Sequence, residues 1–288
     1  MNDNKIPAVF SYIASRRNDM TLRENEIANF VLKNPEFIVN NTITNIANEV
    51  GVSETSINRF CKKIGYKGFQ DFKIAMVQGS LYRDIQSDHT DAPQSLFVSM
   101  LSDYKKVLDN TFAMMKEESF IQIVKYIKES RQIYIFDNHS PLNIGKCLQQ
   151  KLKTIGGVDA IIINDWTSMK LYCSKCQSQD VFITFFNTMC STAMIDALSN
   201  INQKSGRNIV ITSYDSQKMA EVSDVKIVSA DKLYIKNKDA FTDQMAFVFI
   251  IDLLFSYLLQ DEDFMNEKKN SDAVFEIDQI SNSYYFNM

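Results

Sequence analysis

The chain is poor in the residue types on which most metal sites depend. Its 288 residues include only two histidines, His89 and His139, and five scattered cysteines. Cys173 and Cys176 form a Cys-x-x-Cys pair, but a structural zinc site needs four ligands and no second pair follows. We therefore predict no metal, no cofactor and reduced thiols, as is usual in the cytoplasm.

Glycine, proline and long apolar runs are also scarce. Eight glycines and four prolines leave little room for irregular chain, so helices should dominate. The longest apolar stretch, Met245 to Leu259, contains Asp252 and is shorter than the ~18 to 20 residues that cross a bilayer. Residues 1–5 lead into no signal-peptide core. We expect a cytoplasmic protein with no membrane partner.

Charge is distributed unevenly along a chain of ordinary globular composition, with 45% apolar and 23% charged residues. Residues 1–80 contain ten Lys and Arg against eight Asp and Glu, a net charge of +2 within a total of −4. The remainder is acidic. A weakly basic N-terminal part on an acidic body permits nucleic-acid binding by the N-terminal part alone.

Residues 42–65 have the spacing of two short helices joined by a tight turn. The apolar residues of 42–50 recur at i, i+3, i+4 and i+7, and Gly51 follows where a helix can end in a left-handed turn. Ser53 offers an N-cap oxygen to a second helix, in which the same spacing repeats until Gly65. Two amphipathic helices with a glycine-containing turn predict a helix-turn-helix.

The second helix turns polar and basic side chains away from its apolar stripe. Amide and guanidinium groups can read base edges in the major groove, and lysines can neutralise phosphates. We expect Asn58 and Arg59 to read bases. The residues expected mainly to position the helix on phosphates are Ser53, Thr55, Ser56, Lys62, Lys63 and Lys67. The alternative is a solvated helix face that happens to be basic.

The rest of the chain predicts a linker followed by an α/β domain. Residues 80–93 are polar and lack apolar spacing, and helical patterns resume at 94–115 and 119–129. Short apolar runs then alternate with helical segments, which predicts a parallel sheet covered by helices and closed by a buried helix at 239–259. The predicted strands are 132–136, 158–163, 181–185, 208–213 and 225–228. The predicted domains are 1–79 and 94–288, joined by the linker 80–93.

Ligands of parallel sheets bind in loops after the carboxyl ends of strands. The candidate loops are 137–141, 186–191 and 212–214. Their candidate ligand-binding residues are Asn138, His139, Ser140, Asn187, Thr188, Ser191 and Thr212. The chain has no G-x-G-x-x-G, Walker A or G-x-S-x-G motif, so nothing favours a dinucleotide, a nucleoside triphosphate or serine-hydrolase chemistry.

On these motifs the chain resembles the RpiR (MurR/RpiR) family of bacterial transcription regulators over essentially its whole length. Residues 49–69 resemble the family's DNA-binding motif almost residue for residue. The C-terminal resemblance is more diffuse and rests on Lys151-Leu152, Ile155-Gly156, Asp180-Val181, Ile211-Thr212 and the stretch from Ser216 to Asp224. The resemblance implies an N-terminal helix-turn-helix domain, a linker and a C-terminal three-layer α/β sugar isomerase (SIS) domain that binds phosphosugars.

Both phosphosugar loops depart from the family pattern. The first reads G-x-G-x-S in the family and Asp-Asn-His-Ser-Pro at 137–141 here, and the second reads S-x-S-G-x-T there and Phe-Asn-Thr-Met-Cys-Ser at 186–191 here. Glycines let backbone N–H groups approach a phosphate. Their loss, and the negative charge of Asp137, favour a neutral or cationic ligand.

The sequence therefore predicts a regulator that binds a pseudo-palindromic site on double-stranded DNA as a homodimer or homotetramer. The resemblance to the family further implies that it controls carbohydrate uptake or metabolism genes. Its SIS domain would sense a ligand other than an ordinary phosphosugar, sense an ordinary phosphosugar, or serve only in dimerisation; we favour the first. A phosphosugar isomerase is the alternative from another class, but it needs a base, usually Glu or His, placed beside a bound phosphate. His139 is available, but a single histidine in a loop is more often structural, and the phosphate loops have lost their glycines. We expect no enzymatic activity.

Overall fold

The computed structural model describes residues 9–86, 95–137, 143–156, 158–186, 191–232, 235, 237–242 and 244–285. The chain packs as two units. The first comprises residues 1–115 together with 213–217 and 228–246, and the second comprises 116–212, 218–227 and 247–288.

The first unit is helical. Its elements are α1 (Val9–Ser15), a 3-10 turn (Arg17–Asp19), α2 (Leu22–Lys33), α3 (Pro35–Asn40), α4 (Ile43–Val50), α5 (Glu54–Lys63), α6 (Phe69–Gln86) and α7 (Leu96–Met114). The predicted helix pair at 42–65 is therefore confirmed. Helix α6 continues to Gln86, so helical backbone covers the first part of the predicted linker. The domain boundaries read from the sequence stay a prediction.

Residues 9–77, which we call the head, share one apolar core. The stripes predicted from the spacing of α4 and α5 point into it, and Ile46, Ile57 and Phe60 are almost fully buried. Phe60 meets Phe72 of α6 edge to face, with ring centroids 6.3 Å apart. Because the apolar face of α5 is committed to this core, its opposite face is turned outward.

The second unit is a parallel α/β domain, as the sequence predicts. Five strands lie in the order β2-β1-β3-β4-β5, and the registers of β1 with β2, of β1 with β3 and of β3 with β4 are parallel. The strands are β1 (Gln132–Asp137), β2 (Ala160–Ile163), β3 (Asp180–Phe186), β4 (Arg207–Thr212) and β5 (Val225–Val228). The helices of this unit are α8 (Glu117–Lys128), α9 (Ile144–Lys153), α10 (Trp166–Lys175), α11 (Thr192–Gln203), α12 (Gln217–Val222), α13 (Met245–Leu258) and α14 (Glu262–Tyr285).

Two helices near the C-terminus differ from the sequence prediction. The buried closing helix α13 begins at Met245 rather than near 239, and the segment before it forms turns. Helix α14 was not predicted because its sequence has little apolar periodicity. No helix in the described part of the chain has both the length and the apolarity needed to cross a membrane.

Candidate DNA-binding surface and ligand loops

Helix α5 is fixed at its start by a tight turn and a side-chain cap. Gly51 has a φ of 73°, a left-handed conformation that glycine adopts without a Cβ clash. Ser53 then caps α5, since its Oγ accepts a hydrogen bond from the N–H of Ser56 at 3.2 Å. The Oγ atoms of Ser53 and Ser56 lie 2.9 Å apart. Ser53 and Ser56, which the sequence analysis assigns to phosphate contacts, therefore also hold the start of α5 in place.

The outward face of α5 presents Thr55, Arg59 and Lys62 to solvent. These residues are spaced by four and three positions, so they lie on one helix face. The side chain of Arg59 is 69% exposed, and its Nε lies 3.9 Å from Oε1 of the buried Glu24, a distance too long for a hydrogen bond. Lys62 is exposed and forms no ion pair within the described ranges. A guanidinium and an ammonium are thus available to an anionic partner.

Asn58 has a different position from the one expected for a base-reading amide. Its Oδ1 accepts a hydrogen bond from the N–H of Phe69, the first residue of α6, at 3.0 Å. A two-bond contact with adenine requires that same oxygen as an acceptor. In this arrangement Asn58 fixes the start of α6 against α5, and it would have to give up this hydrogen bond to read a base, so its base-reading role stays a prediction.

Lys63 is also tied to the head rather than turned outward. Its Nζ lies 2.7 Å from Oε2 of the buried Glu24 and donates to the carbonyl of Asp19. Burial raises the pKa of Glu24, but hydrogen bonds from Lys63 and from the N–H of Thr21 outweigh burial and leave the pKa below its ordinary value. Lys67, by contrast, has an exposed side chain, while its backbone N–H donates to Asp71.

The end of α5 is joined to residues 213–217 within the first unit. Arg16 donates from Nε to Oδ2 of Asp215 at 2.7 Å and from Nη1 to the carbonyl of Lys63. The backbone N–H of Asp215 donates to the carbonyl of Ser15 at 2.7 Å. Sequence analysis did not single out Arg16, because no local pattern links residues so far apart in the chain.

The strand order places the carboxyl ends of β1 and β3 side by side. Chain connections leave β1 and β3 in opposite directions along the sheet, and such a reversal is where parallel sheets usually bind ligands. Five predicted ligand residues, Asn138, His139, Ser140, Asn187 and Thr188, lie outside the described residues. Of the other two, Ser191 caps α11 by accepting from the N–H of Met194 at 3.3 Å, and Thr212 is buried at the end of β4.

A carboxylate already lies at the N-terminus of α9. The buried Asp137 ends β1, and its Oδ2 accepts a hydrogen bond from the N–H of Gly145, the second residue of α9, at 2.7 Å. A Cβ on Gly145 would lie 2.8 Å from the Cβ of Asp137, so glycine permits this approach. Free N–H groups at a helix start attract anions. Here one of them is bound to the protein's own carboxylate.

The Cys-x-x-Cys pair is buried in the second unit. Burial raises the pKa of Cys173 to about 12 and that of Cys176 to about 11, so both are protonated thiols at neutral pH. Thiols in that state are poor nucleophiles and poor metal ligands. Among the residues with a described position, no group of three or more His, Cys, Asp or Glu could hold a metal ion.

Comparison with known proteins assigns the head to a family. Residues 8–81 match the model of the helix-turn-helix domain of the rpiR family. The head is an rpiR-family helix-turn-helix domain.

The similarity of the chain to regulators extends beyond this rpiR domain. An uncharacterised HTH-type transcriptional regulator of Haemophilus influenzae is 24% identical over 264 residues, which are 88% of this chain and 91% of that one. The HTH-type transcriptional regulator HexR of Escherichia coli is 21% identical over 205 residues, 70% and 71% of the two chains.

Solved structures of similar proteins identify the fold of the α/β domain. The Vibrio vulnificus NanR protein, solved in complex with ManNAc-6P, is similar with a TM-score of 0.55 at 19% identity and covers 92% of this chain and 97% of its own. The sugar isomerase domain of an RpiR transcription factor from Sphaerobacter thermophilus is similar with a TM-score of 0.53 at 14% identity, over 65% of this chain and 99% of that one. The α/β domain therefore has the fold of a sugar isomerase domain.

Proposed function

We propose that the protein is a DNA-binding transcriptional regulator whose helix α5 enters the major groove of an operator. The observation that carries the proposal is the outward face of α5, where Thr55, Arg59 and Lys62 are exposed on a helix otherwise committed to the core of an rpiR-family domain. Relatives that span most of the chain are named as transcriptional regulators. Such a protein would act in the cytoplasm, where the chromosome lies.

The roles of the α5 residues follow from their surroundings. Arg59 is the base-reading residue in this proposal, since a guanidinium can donate two hydrogen bonds to guanine. The side chains assigned to phosphates and to the approach of the helix are Ser53, Thr55, Ser56, Lys62 and Lys67. Asn58 and Lys63 are assigned a structural role in this proposal, because their polar groups already form hydrogen bonds within the head.

Two heads are needed to read a pseudo-palindromic operator, so the proposed regulator acts as a dimer or a higher even oligomer. The genes that it controls are proposed to serve carbohydrate uptake or metabolism, as in the family that it resembles. The contacts of Lys63 and Arg16 at the end of α5 are the elements through which a change in residues 213–217 would reach the DNA-binding helix.

We further propose that the α/β domain senses a ligand that is not an ordinary sugar phosphate and does not catalyse a reaction. The placement of Asp137 at the start of α9 supports this, since its charge would oppose a phosphate at that helix start. NanR was solved with ManNAc-6P, so an ordinary aminosugar phosphate is the competing ligand class. A saturable thermal shift of the purified protein with hexose or aminosugar phosphates, but not with the unphosphorylated sugars, would reject our choice.

The DNA-binding proposal is tested with Arg59→Ala. An operator fragment is first selected from random duplexes with the full-length wild-type protein, and binding is then measured by fluorescence anisotropy. We expect Arg59→Ala to weaken binding to the selected site by ~1 to 3 kcal/mol, roughly ten- to a hundred-fold, and to relax its sequence preference. Lys170→Ala, which removes an exposed lysine of α10, is the matched control and should leave affinity unchanged. Equal affinities of wild type and Arg59→Ala would reject the proposal.

A further inference from the structure

Helix α7 has one face committed to its own unit. Asn237 donates from its backbone N–H to Oδ2 of Asp103 at 2.9 Å, and Ala230 donates to Oγ1 of Thr111 at 3.1 Å. The ring of Tyr104 packs on Phe241 with centroids 4.5 Å apart. The buried residues of α7 that form this inner face are Ser99, Asp103, Val107, Thr111 and Met114.

The opposite face of α7 is apolar and open to solvent. Phe97 is 81% exposed, Leu101 is 49% exposed and Phe112 is 51% exposed. At 3.6 residues per turn, positions 97, 101 and 112 lie on one side of the helix, which we call the outer face of α7. A single exposed apolar residue needs no explanation, but several large ones on one helix face commonly mark an interaction site.

Two residues of opposite charge lie on the outer face between Leu101 and Phe112. Lys105 and Asp109 lie one helical turn apart, and neither forms an ion pair with another residue of the described chain. If a second α7 is laid antiparallel across this face, with the two-fold axis passing between positions 105 and 109, Lys105 of each copy faces Asp109 of the other. In the same arrangement Leu101 of each copy lies beside Phe112 of the other. The outer face is therefore complementary to itself in charge and in apolar surface.

We propose that the outer face of α7 binds the same face of a second copy of this chain in antiparallel orientation. The inference rests on the proposed function, because a regulator that reads two half-sites needs paired heads. Self-complementarity favours a second copy over an unrelated protein. In a two-fold dimer the same residues form each contact twice, once in each direction across the interface. The helix also follows the head closely in the chain, so pairing at α7 would bring two heads together.

The test exchanges the two charges in the full-length protein and measures the dimer by sedimentation velocity over a micromolar concentration series. Lys105→Glu places a glutamate opposite each Asp109, and Asp109→Lys places a lysine opposite each Lys105. We expect each single variant to weaken the dimer by about ten-fold or more, because like charges face each other twice. The double variant Lys105→Glu with Asp109→Lys restores opposite pairs and should recover the wild-type dimer.

A matched control separates the interface from a general charge effect. Lys106→Glu makes the same charge change one residue along α7, outside the outer face, and should leave the dimer unchanged. The inference is overturned if the wild type is monomeric, if Lys105→Glu does not weaken the dimer more than Lys106→Glu, or if the double variant fails to recover it. Operator binding that still depends on Arg59 in the same preparations would then show that the proposed function stands and only the α7 interface is wrong.

Discussion

Arg16 and Asp215 form an ion pair across 199 positions of sequence, with Nε 2.7 Å from Oδ2. The carboxylate is buried and the guanidinium is largely covered. The same guanidinium donates to the carbonyl of Lys63, at the end of α5. Gln217 donates from its backbone N–H to Asp19 at 2.9 Å, so residues 213–217 are held at two points by the corner between α1 and α2. One arginine therefore joins this segment to the end of α5.

Arg16→Ala should loosen that junction. Removal of the guanidinium takes a charged hydrogen-bond donor away from the buried Asp215, and we expect a loss of ~1 to 3 kcal/mol in the free energy of unfolding. Hydrogen exchange at the amides of Asp215 and Gln217 should become faster. Arg23→Ala is the control, since the pair of Arg23 with Glu26 is exposed and its loss should change stability by less than ~0.5 kcal/mol. Equal effects of the two substitutions would contradict this role of Arg16.

Lys62 and Lys63 are neighbours that should behave differently. Lys62→Ala removes an exposed charge, so we expect weaker DNA binding, a salt slope reduced by about one and little change in stability. Lys63→Ala removes the partner of the buried Glu24 and should lower the free energy of unfolding by ~1 to 3 kcal/mol with the salt slope retained. Urea unfolding and salt titrations of DNA binding on both variants measure the difference. A reversed pattern would show that Lys63, rather than Lys62, contacts phosphate.

Glu24 predicts how the stability of the head depends on pH. Its pKa is lowered in the folded state, since hydrogen bonds from Lys63 and Thr21 outweigh the effect of burial. The unfolded chain therefore binds more protons near the ordinary glutamate pKa of about 4.3, and stability falls as the pH drops through that value and then through the folded pKa. Glu24→Gln should be less stable than wild type at pH 7, and this difference in the free energy of unfolding should shrink as the pH is lowered.

Urea unfolding at several pH values between 7 and 3 measures this gap. Glu26→Gln is a suitable control because Glu26 is exposed and pairs only with Arg23 on the surface. Its stability should follow that of wild type at every pH. If Glu24→Gln lies below wild type by a constant amount down to pH 3, the carboxylate of Glu24 is not responsible for the difference.

The order of the main elements was predictable from the sequence because their signals are local. Apolar spacing and the positions of Gly51 and Ser53 were enough to place α4 and α5, and the alternation of strands and helices was enough to predict the parallel sheet. The outward position of Arg59 follows from the same periodicity, since the opposite face of α5 is apolar. These features depend on residues within a few positions of one another.

The roles of Asn58 and Lys63 could not be predicted in that way. Both lie on the polar part of α5, and periodicity alone does not distinguish them from Arg59. Their partners, Phe69 and Glu24, are 11 and 39 positions away, and only the packing of α2 and α6 around α5 brings them into contact. Polar residues that bind DNA and polar residues that hold the helix in place therefore look alike in the sequence.

Gly145→Ala tests the close contact between β1 and α9. In an open helix this substitution stabilises by about 1 kcal/mol. Here the new Cβ would lie 2.8 Å from the Cβ of Asp137 and 2.9 Å from Cγ2 of Ile135, both of which belong to a buried strand. Because neither neighbour is the far end of a flexible side chain, we expect a loss of ~1 to 3 kcal/mol in the free energy of unfolding.

The sign of the change in the free energy of unfolding of Gly145→Ala distinguishes the two possibilities. Cys147→Ala, in the same helix at a half-buried position, introduces no clash and should cost less than ~1 kcal/mol in urea unfolding. If Gly145→Ala instead stabilised the protein, α9 would lie farther from β1, and Asp137 could not reach the N–H of residue 145. The start of α9 would then be open to an anionic ligand, and the argument against a sugar phosphate would lose its support. A loss of stability requires the close approach that lets Asp137 hold this helix start.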